Sequence, residues 1–154
     1  MTEPALLVDT NVFSIFLRRE APTEYPRLVS WFADLLRAGK LAISAVSLYE
    51  LRRGIKAELL QGRARRKAAR LELVLRTVSV LGLDGAGFAA WNIAANIWAE
   101  GKGRVPAVVV ADADLLIFAT AQAHGRVLAT TDARLVERLR DLGQSAGARL
   151  VELS

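Results

Sequence analysis

Five acidic residues stand where apolar runs give way to helical patterns. Asp9 closes the run 5–8, Glu50 sits just past 40–44, Asp112 and Asp114 follow the valines 108–110, and Asp132 follows 126–131. If those runs are strands of a parallel sheet, their carboxyl ends share the edge at which α/β folds bind ligands. Two like charges about 4 Å apart repel by roughly 4 kcal/mol at an effective dielectric of 20. Convergence of several carboxylates therefore calls for a cation between them. Hard divalent ions such as Mg²⁺ or Mn²⁺ suit the role, since they take carboxylate oxygens and complete their shell with water and phosphate. The chemistry to expect is metal-assisted hydrolysis, in which a bound water becomes more acidic and charge on a phosphate is stabilised. The chain has no cysteine and one histidine, His124, which leaves no thiolate nucleophile, no histidine pair and no second base for a Ser-His-Asp triad.

Each acid also has a plain structural use. Asp and Ser at a strand-to-helix junction cap the free N–H groups of the helix. Ser47-Leu48-Tyr49-Glu50 fits a capping box, with Glu50 reaching back to the N–H of Ser47. Asp132, ahead of Ala133-Arg134-Leu135, can cap in the same way. Asp112 and Asp114 lie two apart, so on one helix they point in different directions and at most one is central to a single site. Asp9 is harder to assign to capping alone, because Asp9-Thr10-Asn11 puts three short polar side chains at one strand tip.

The elements that must position these residues follow from the hydrophobic pattern. Runs 5–8, 41–44, 80–83, 127–130 and 150–153 are expected strands, and 108–110 an additional extended run. Helical spacing covers 11–19, 28–37, two helices between 47 and 78 broken near Gln61-Gly62, then 88–98 closed by Gly101 and Gly103, a buried helix over 115–123, and 133–142. The 154 residues suit one α/β domain, 1–154, and 53% apolar with 24% charged residues describes a globular chain. No apolar run approaches the ~20 residues of a membrane span. The start Met1-Thr2-Glu3-Pro4 lacks a signal peptide's basic region, so a cytoplasmic location is expected. The net charge of +5 is concentrated between Arg52 and Arg76, a stretch able to attract phosphate backbones through counterion release or simply to form a solvated face. Trp91 and Trp98, seven apart on one helix, are expected in the core or at a subunit contact. No Gly-rich phosphate loop is present.

Four segments together resemble PIN-domain ribonucleases, and within them the VapC toxins of toxin–antitoxin pairs. They are Leu7-Val8-Asp9-Thr10-Asn11, Ser47-Leu48-Tyr49-Glu50-Leu51, the stretch 114–121 with His124-Gly125, and Thr130-Thr131-Asp132. The resemblance implies a three-layer PIN-like α/β fold, its central, mostly parallel sheet flanked by helices. It implies an acidic cluster of Asp9, Glu50, Asp114 and Asp132 holding Mg²⁺ or Mn²⁺, with Thr130 supporting the site and Asn11 beside the first aspartate. It further implies endoribonuclease activity leaving 5′-phosphate and 3′-hydroxyl ends, a cognate antitoxin, and a homodimer whose basic helices, with Arg52, Arg53, Arg63 and Arg66, hold RNA. Two departures stand out: Ser47 replaces a frequent threonine, and Asp112 is an additional acid beside Asp114. A haloacid-dehalogenase-type phosphatase is the alternative enzyme, but it needs a second Asp where Asn11 stands. A phospho-receiver would need an acidic pair closing the first strand. A non-catalytic PIN-fold RNA-binding module is the alternative without turnover, and metal-binding and cleavage assays would separate it from the nuclease.

Overall fold

The computed structural model describes residues 4–153; the first three residues of the N-terminus read above, and Ser154, lie outside them. Five short strands form one sheet: β1 (Leu6–Val8), β2 (Leu41–Ser44), β3 (Ser79–Leu81), β4 (Val127–Thr130) and β5 (Ala148–Leu150). Their order is β3-β2-β1-β4-β5. Every pairing is parallel, so the sheet is wholly rather than mostly parallel. A parallel sheet is covered on both faces, which explains why β1 has no polar alternation: Leu6, Leu7 and Val8 are all fully buried.

Among the described residues, eight α-helices supply the covering layers. They are α1 (Thr10–Phe16), α2 (Ala21–Glu24), α3 (Pro26–Arg37), α4 (Ala45–Leu60), α5 (Arg65–Leu75), α6 (Gly85–Gly103), α7 (Asp112–Ala123) and α8 (Ala133–Asp141). The period of two along β1 divides the core. Leu6 and Val8 join Phe13, Phe32, Leu51 and Leu71 on the side of α1, α3, α4 and α5. Leu7 joins Ile97, Phe118 and Leu139 on the side of α6, α7 and α8. Phe13 meets Phe32 edge-on with ring centroids 5.0 Å apart, and Phe16 stacks on the same ring at 3.9 Å. Those contacts fix α1, and with it the Asp9 end of that helix.

Several boundaries differ from the sequence reading for identifiable reasons. Residues 108–110 are not a strand. Val108 donates its N–H to Gly101 O at 2.9 Å, against the end of α6, and the run has no strand partner. That approach also explains Gly101, which sits inside α6 and does not end it: a Cβ there would lie 2.1 Å from Val108 O. The helix α3 begins at Pro26 rather than 28, because proline suits the first helical turn, where its missing N–H costs nothing. The helix α1 stops at Phe16, three residues short of the expected end. The last strand ends at Leu150, after which Val151 still donates to Thr130 O. The break at Gln61-Gly62 lies where the sequence placed it. No helix among the described residues is long and apolar enough to cross a membrane.

Candidate metal centre

The chain lays β1, β2 and β3 to one side and then returns to place β4 and β5 on the other. The switch point lies between β1 and β4, where open α/β sheets form their ligand crevice at the carboxyl edge. Asp9 immediately follows β1, and Asp132 follows β4 by two residues. Glu50 lies on the second turn of the helix that leaves β2, and Asp114 on the first turn of α7. Two adjacent strand ends and the opening turns of two helices therefore supply the four acids.

Asp9 is 3% exposed, and both of its carboxylate oxygens are engaged. Oδ1 accepts the N–H of Thr10 at 2.8 Å, which caps α1, and Oδ2 accepts the hydroxyl of Thr130 at 2.7 Å. Each oxygen keeps a further lone pair. Thr130 is the hub of this corner, since its Oγ1 also accepts from Asn11 Nδ2 at 3.3 Å and from the N–H of Asp132 at 3.1 Å. Asn11 closes the loop by accepting the N–H of Thr131 through Oδ1 at 3.3 Å. Thr130 and Asn11 therefore position the acids through neutral hydrogen bonds. Asp132 caps α8, with Oδ1 accepting from Arg134 and Leu135 N–H groups at 3.0 and 3.1 Å, and its Oδ2 is free of that duty. Capping and site placement turn out to be compatible uses of one carboxylate.

Glu50 resolves differently. The cap of α4 is Ser44, whose Oγ accepts from Val46 and Ser47 N–H groups at 2.9 and 3.4 Å. The expected capping box on Ser47 does not form, because β2 runs to Ser44 and the helix starts three residues earlier. Ser47 is instead fully buried. Thr10 Oγ1 lies 2.7 Å from Glu50 Oε1 and 2.9 Å from Ser47 Oγ, joining the start of α1 to α4. Sequence reading passed over Thr10 as a site residue; its signal was its place between Asp9 and Asn11 in a string with more polar groups than one cap requires. Because Glu50 is not needed for capping, Glu50→Gln should keep the fold, the amide oxygen still accepting from Thr10. On the endoribonuclease expectation set by the sequence resemblance, cleavage of RNA should fall by at least roughly 10–100-fold, the scale for disturbing even the outer shell of a metal site. Retention of full activity with an unchanged melting temperature would assign Glu50 a purely structural role.

Electrostatics ties the acids together. Burial pushes the Asp9 carboxyl above its ordinary range, and the charges of Glu50 and Asp132 push in the same direction against hydrogen bonds from Thr130 and Thr10. Asp114 is raised to about 6, first by burial and then by the charges of Asp9, Asp132 and Glu50, with Arg138 opposing. Asp112, two residues earlier, faces elsewhere: it lines a cavity with Trp91, Trp98 and Leu116. Of the two, Asp114 is the one that feels the charges of Asp9, Asp132 and Glu50.

Among the described residues no three such side chains are drawn together closely enough to enclose an ion. The donor set still fits a hard divalent cation: it is carboxylate oxygen, with hydroxyl and amide groups behind, and without sulfur or imidazole. Of the basic residues expected to hold RNA, Arg52 pairs with Glu72 at 3.3 Å, Arg53 lies 3.7 Å from Glu50, and Arg63 bonds Gln61.

Residues 6–141 match the PIN domain model, and the chain belongs to the PIN-domain family. Solved structures with the same fold include FitAcB from Neisseria gonorrhoeae, 28% identical over 96% of each chain with a TM-score of 0.69. VapBC2 from Rickettsia felis, bound to a DNA fragment from their promoter, is 16% identical with a TM-score of 0.74, covering 96% of this chain and 98% of that one. DNA-bound VapBC from Salmonella typhimurium is 23% identical with a TM-score of 0.69, covering 99% and 100%. No curated protein sequence matches the chain significantly.

Proposed function

We propose that the chain is a metal-dependent endoribonuclease acting as the toxin of a VapBC-type toxin–antitoxin pair. The observation that carries this reading is the coupling of Asp9, Glu50, Asp114 and Asp132 at the switch point of a PIN-family sheet. Structural neighbours taken from VapBC and FitAcB complexes support the toxin role and an antitoxin partner. The phosphatase alternative loses support, since Asn11 is built into the Thr130–Thr131 corner and carries no charge.

In this reading Asp9, Asp114, Glu50 and Asp132 hold Mg²⁺ or Mn²⁺. When bound, such an ion acidifies a water molecule and stabilises charge on the phosphate and the leaving oxygen. The chain's own contribution is placement. Thr130 and the N–H of Thr10 fix the Asp9 carboxylate, Asn11 fixes Thr130, and Thr10 holds Glu50 against the start of α1. No side chain needs to act as a covalent nucleophile. The test is cleavage of an end-labelled RNA by purified protein, with Mg²⁺, with Mn²⁺ and with EDTA. Divalent-dependent cleavage leaving 5′-phosphate and 3′-hydroxyl ends supports the reading. RNA binding without cleavage in either metal would favour the non-catalytic module.

The resemblance to VapC also implies a homodimer. The tryptophans expected in the core or at a contact are half-exposed, Trp91 at 44% and Trp98 at 48%, with Phe88 at 59% on the same helix. An apolar face of this kind is suited to a partner surface. Light scattering at micromolar concentration should give the mass of two chains, and a monomer would count against the dimer.

A further inference from the structure

Outside the carboxylate corner, a cavity of about 530 Å³ opens between the turn after α1 and the start of α5, and its walls carry Arg19, Arg65, Arg66, Lys67 and Arg70. The five cations are not equivalent. Arg70 is part of the wall, donating to Leu17 O and Arg18 O at 3.5 and 3.1 Å and lying over the Phe16 ring at 5.3 Å. Lys67 pairs with Glu58 at 3.1 Å. Arg19, Arg65 and Arg66 are exposed and form no ion pair among the described residues. Arg65 and Arg66 also open α5, the end of a helix at which positive side chains are disfavoured. Three unneutralised guanidinium groups so placed are suited to an anion.

The cavity does not stand alone. Leu17 and Lys67 line it and also line a narrower cleft of about 80 Å³ that reaches Thr10 and Glu50. The two depressions therefore adjoin, with Leu17 and Lys67 as their common wall. We infer that this basic cavity seats backbone phosphates of the single-stranded RNA whose scissile phosphate lies at the carboxylates. The inference rests on the nuclease reading and adds the place where the strand is held. A polyanion approaching four carboxylates is repelled there, so attraction must come from charge further along its path. An acidic peptide would share the attraction of the arginines, but nothing in it would favour running on toward the acids.

The experiment measures binding of a short single-stranded oligoribonucleotide of mixed sequence in EDTA over a range of salt, and then its cleavage with Mn²⁺. The variants are Arg65→Ala/Arg66→Ala, Arg19→Ala from the other wall, and Arg104→Ala, which lines neither depression, as the control for lost charge. The double variant should bind at least about tenfold more weakly, as loss of charge-assisted phosphate contacts predicts. Its slope of log affinity against log salt should fall by about 1.4, two single-strand phosphate contacts. Arg19→Ala should show about half that loss of slope. In cleavage, KM should rise with kcat retained. Unchanged affinity and slope relative to Arg104→Ala, in protein that melts like wild type and cleaves RNA, would overturn the inference and leave the nuclease reading standing. Loss of binding to an Asp/Glu-rich peptide with RNA binding unchanged would also overturn it. Wild type that neither binds nor cleaves RNA would overturn both.

Discussion

Asp9→Asn is expected to lower RNA cleavage by about 100-fold or more, the scale for removing one preorganised electrostatic group from an active site. The same variant should stay folded and, without divalent ions, be at least as stable as wild type. Asparagine has the shape of aspartate, and its amide oxygen can still accept the N–H of Thr10 and cap α1. The other end must adjust, because Thr130 Oγ1 already accepts from Asn11 and Asp132 and its hydroxyl donates to Asp9. Losing one such bond costs about 1 kcal/mol. Removing a buried charge held above its ordinary range by desolvation and by Glu50 and Asp132 offsets that cost. Cleavage rates and thermal melts in EDTA check both halves. Wild-type cleavage by the purified variant would remove Asp9 from the active centre.

Asp114→Asn should raise the melting temperature of the ion-free protein, in a pH-dependent way. The folded pKa of about 6 lies above the ordinary value of 3.8. Between those values the folded state holds a proton that the unfolded chain has released, so this group's effect on stability falls as pH rises. The destabilisation is absent below pH ~4, accumulates through pH ~6 and is complete above it. After allowance for solvent screening it is about 1–2 kcal/mol, which corresponds to a few degrees in Tm for a chain of this size. The Tm difference between variant and wild type should therefore be near zero at the acid end and largest above pH ~6. A difference independent of pH would contradict the coupling of Asp114 to the other acids.

Much of this corner was legible because strand ends are legible. Asp9 follows an uninterrupted apolar run and Asp132 a run that ends in two threonines, and in a parallel sheet such residues share an edge whatever their separation in sequence. That Asp112 and Asp114 point in different directions was legible from their spacing of two, whereas which of them turns toward the other acids depends on how α7 is set against the sheet. Glu50 was ambiguous for a local reason: Ser44 and Ser47 are both competent caps, and only the length of β2 decides between them. The valines at 108–110 have strand propensity, but the chain turns back so that Val108 bonds Gly101 near the end of α6, and this overrides it. Charge clustering between Arg52 and Arg76 was visible, yet which arginines are neutralised depends on partners from other elements, such as Glu72 for Arg52. Arg19 was passed over because it faces that basic stretch only after folding.

The most direct measurement is a thermal melt at fixed ionic strength, with and without Mn²⁺, for wild type and for Asp9→Asn, Asp132→Asn and Asp112→Asn. A cation that binds the assembled acids and scarcely the unfolded chain stabilises the fold by about 2.7 kcal/mol at 100 times its dissociation constant. The wild-type melting temperature should rise accordingly. The rise should shrink in Asp9→Asn and Asp132→Asn and persist in Asp112→Asn, whose side chain faces the tryptophan cavity. If wild type, Asp9→Asn and Asp132→Asn respond alike to Mn²⁺, the acids do not form one metal site, and helix capping is the better account of Asp9 and Asp132.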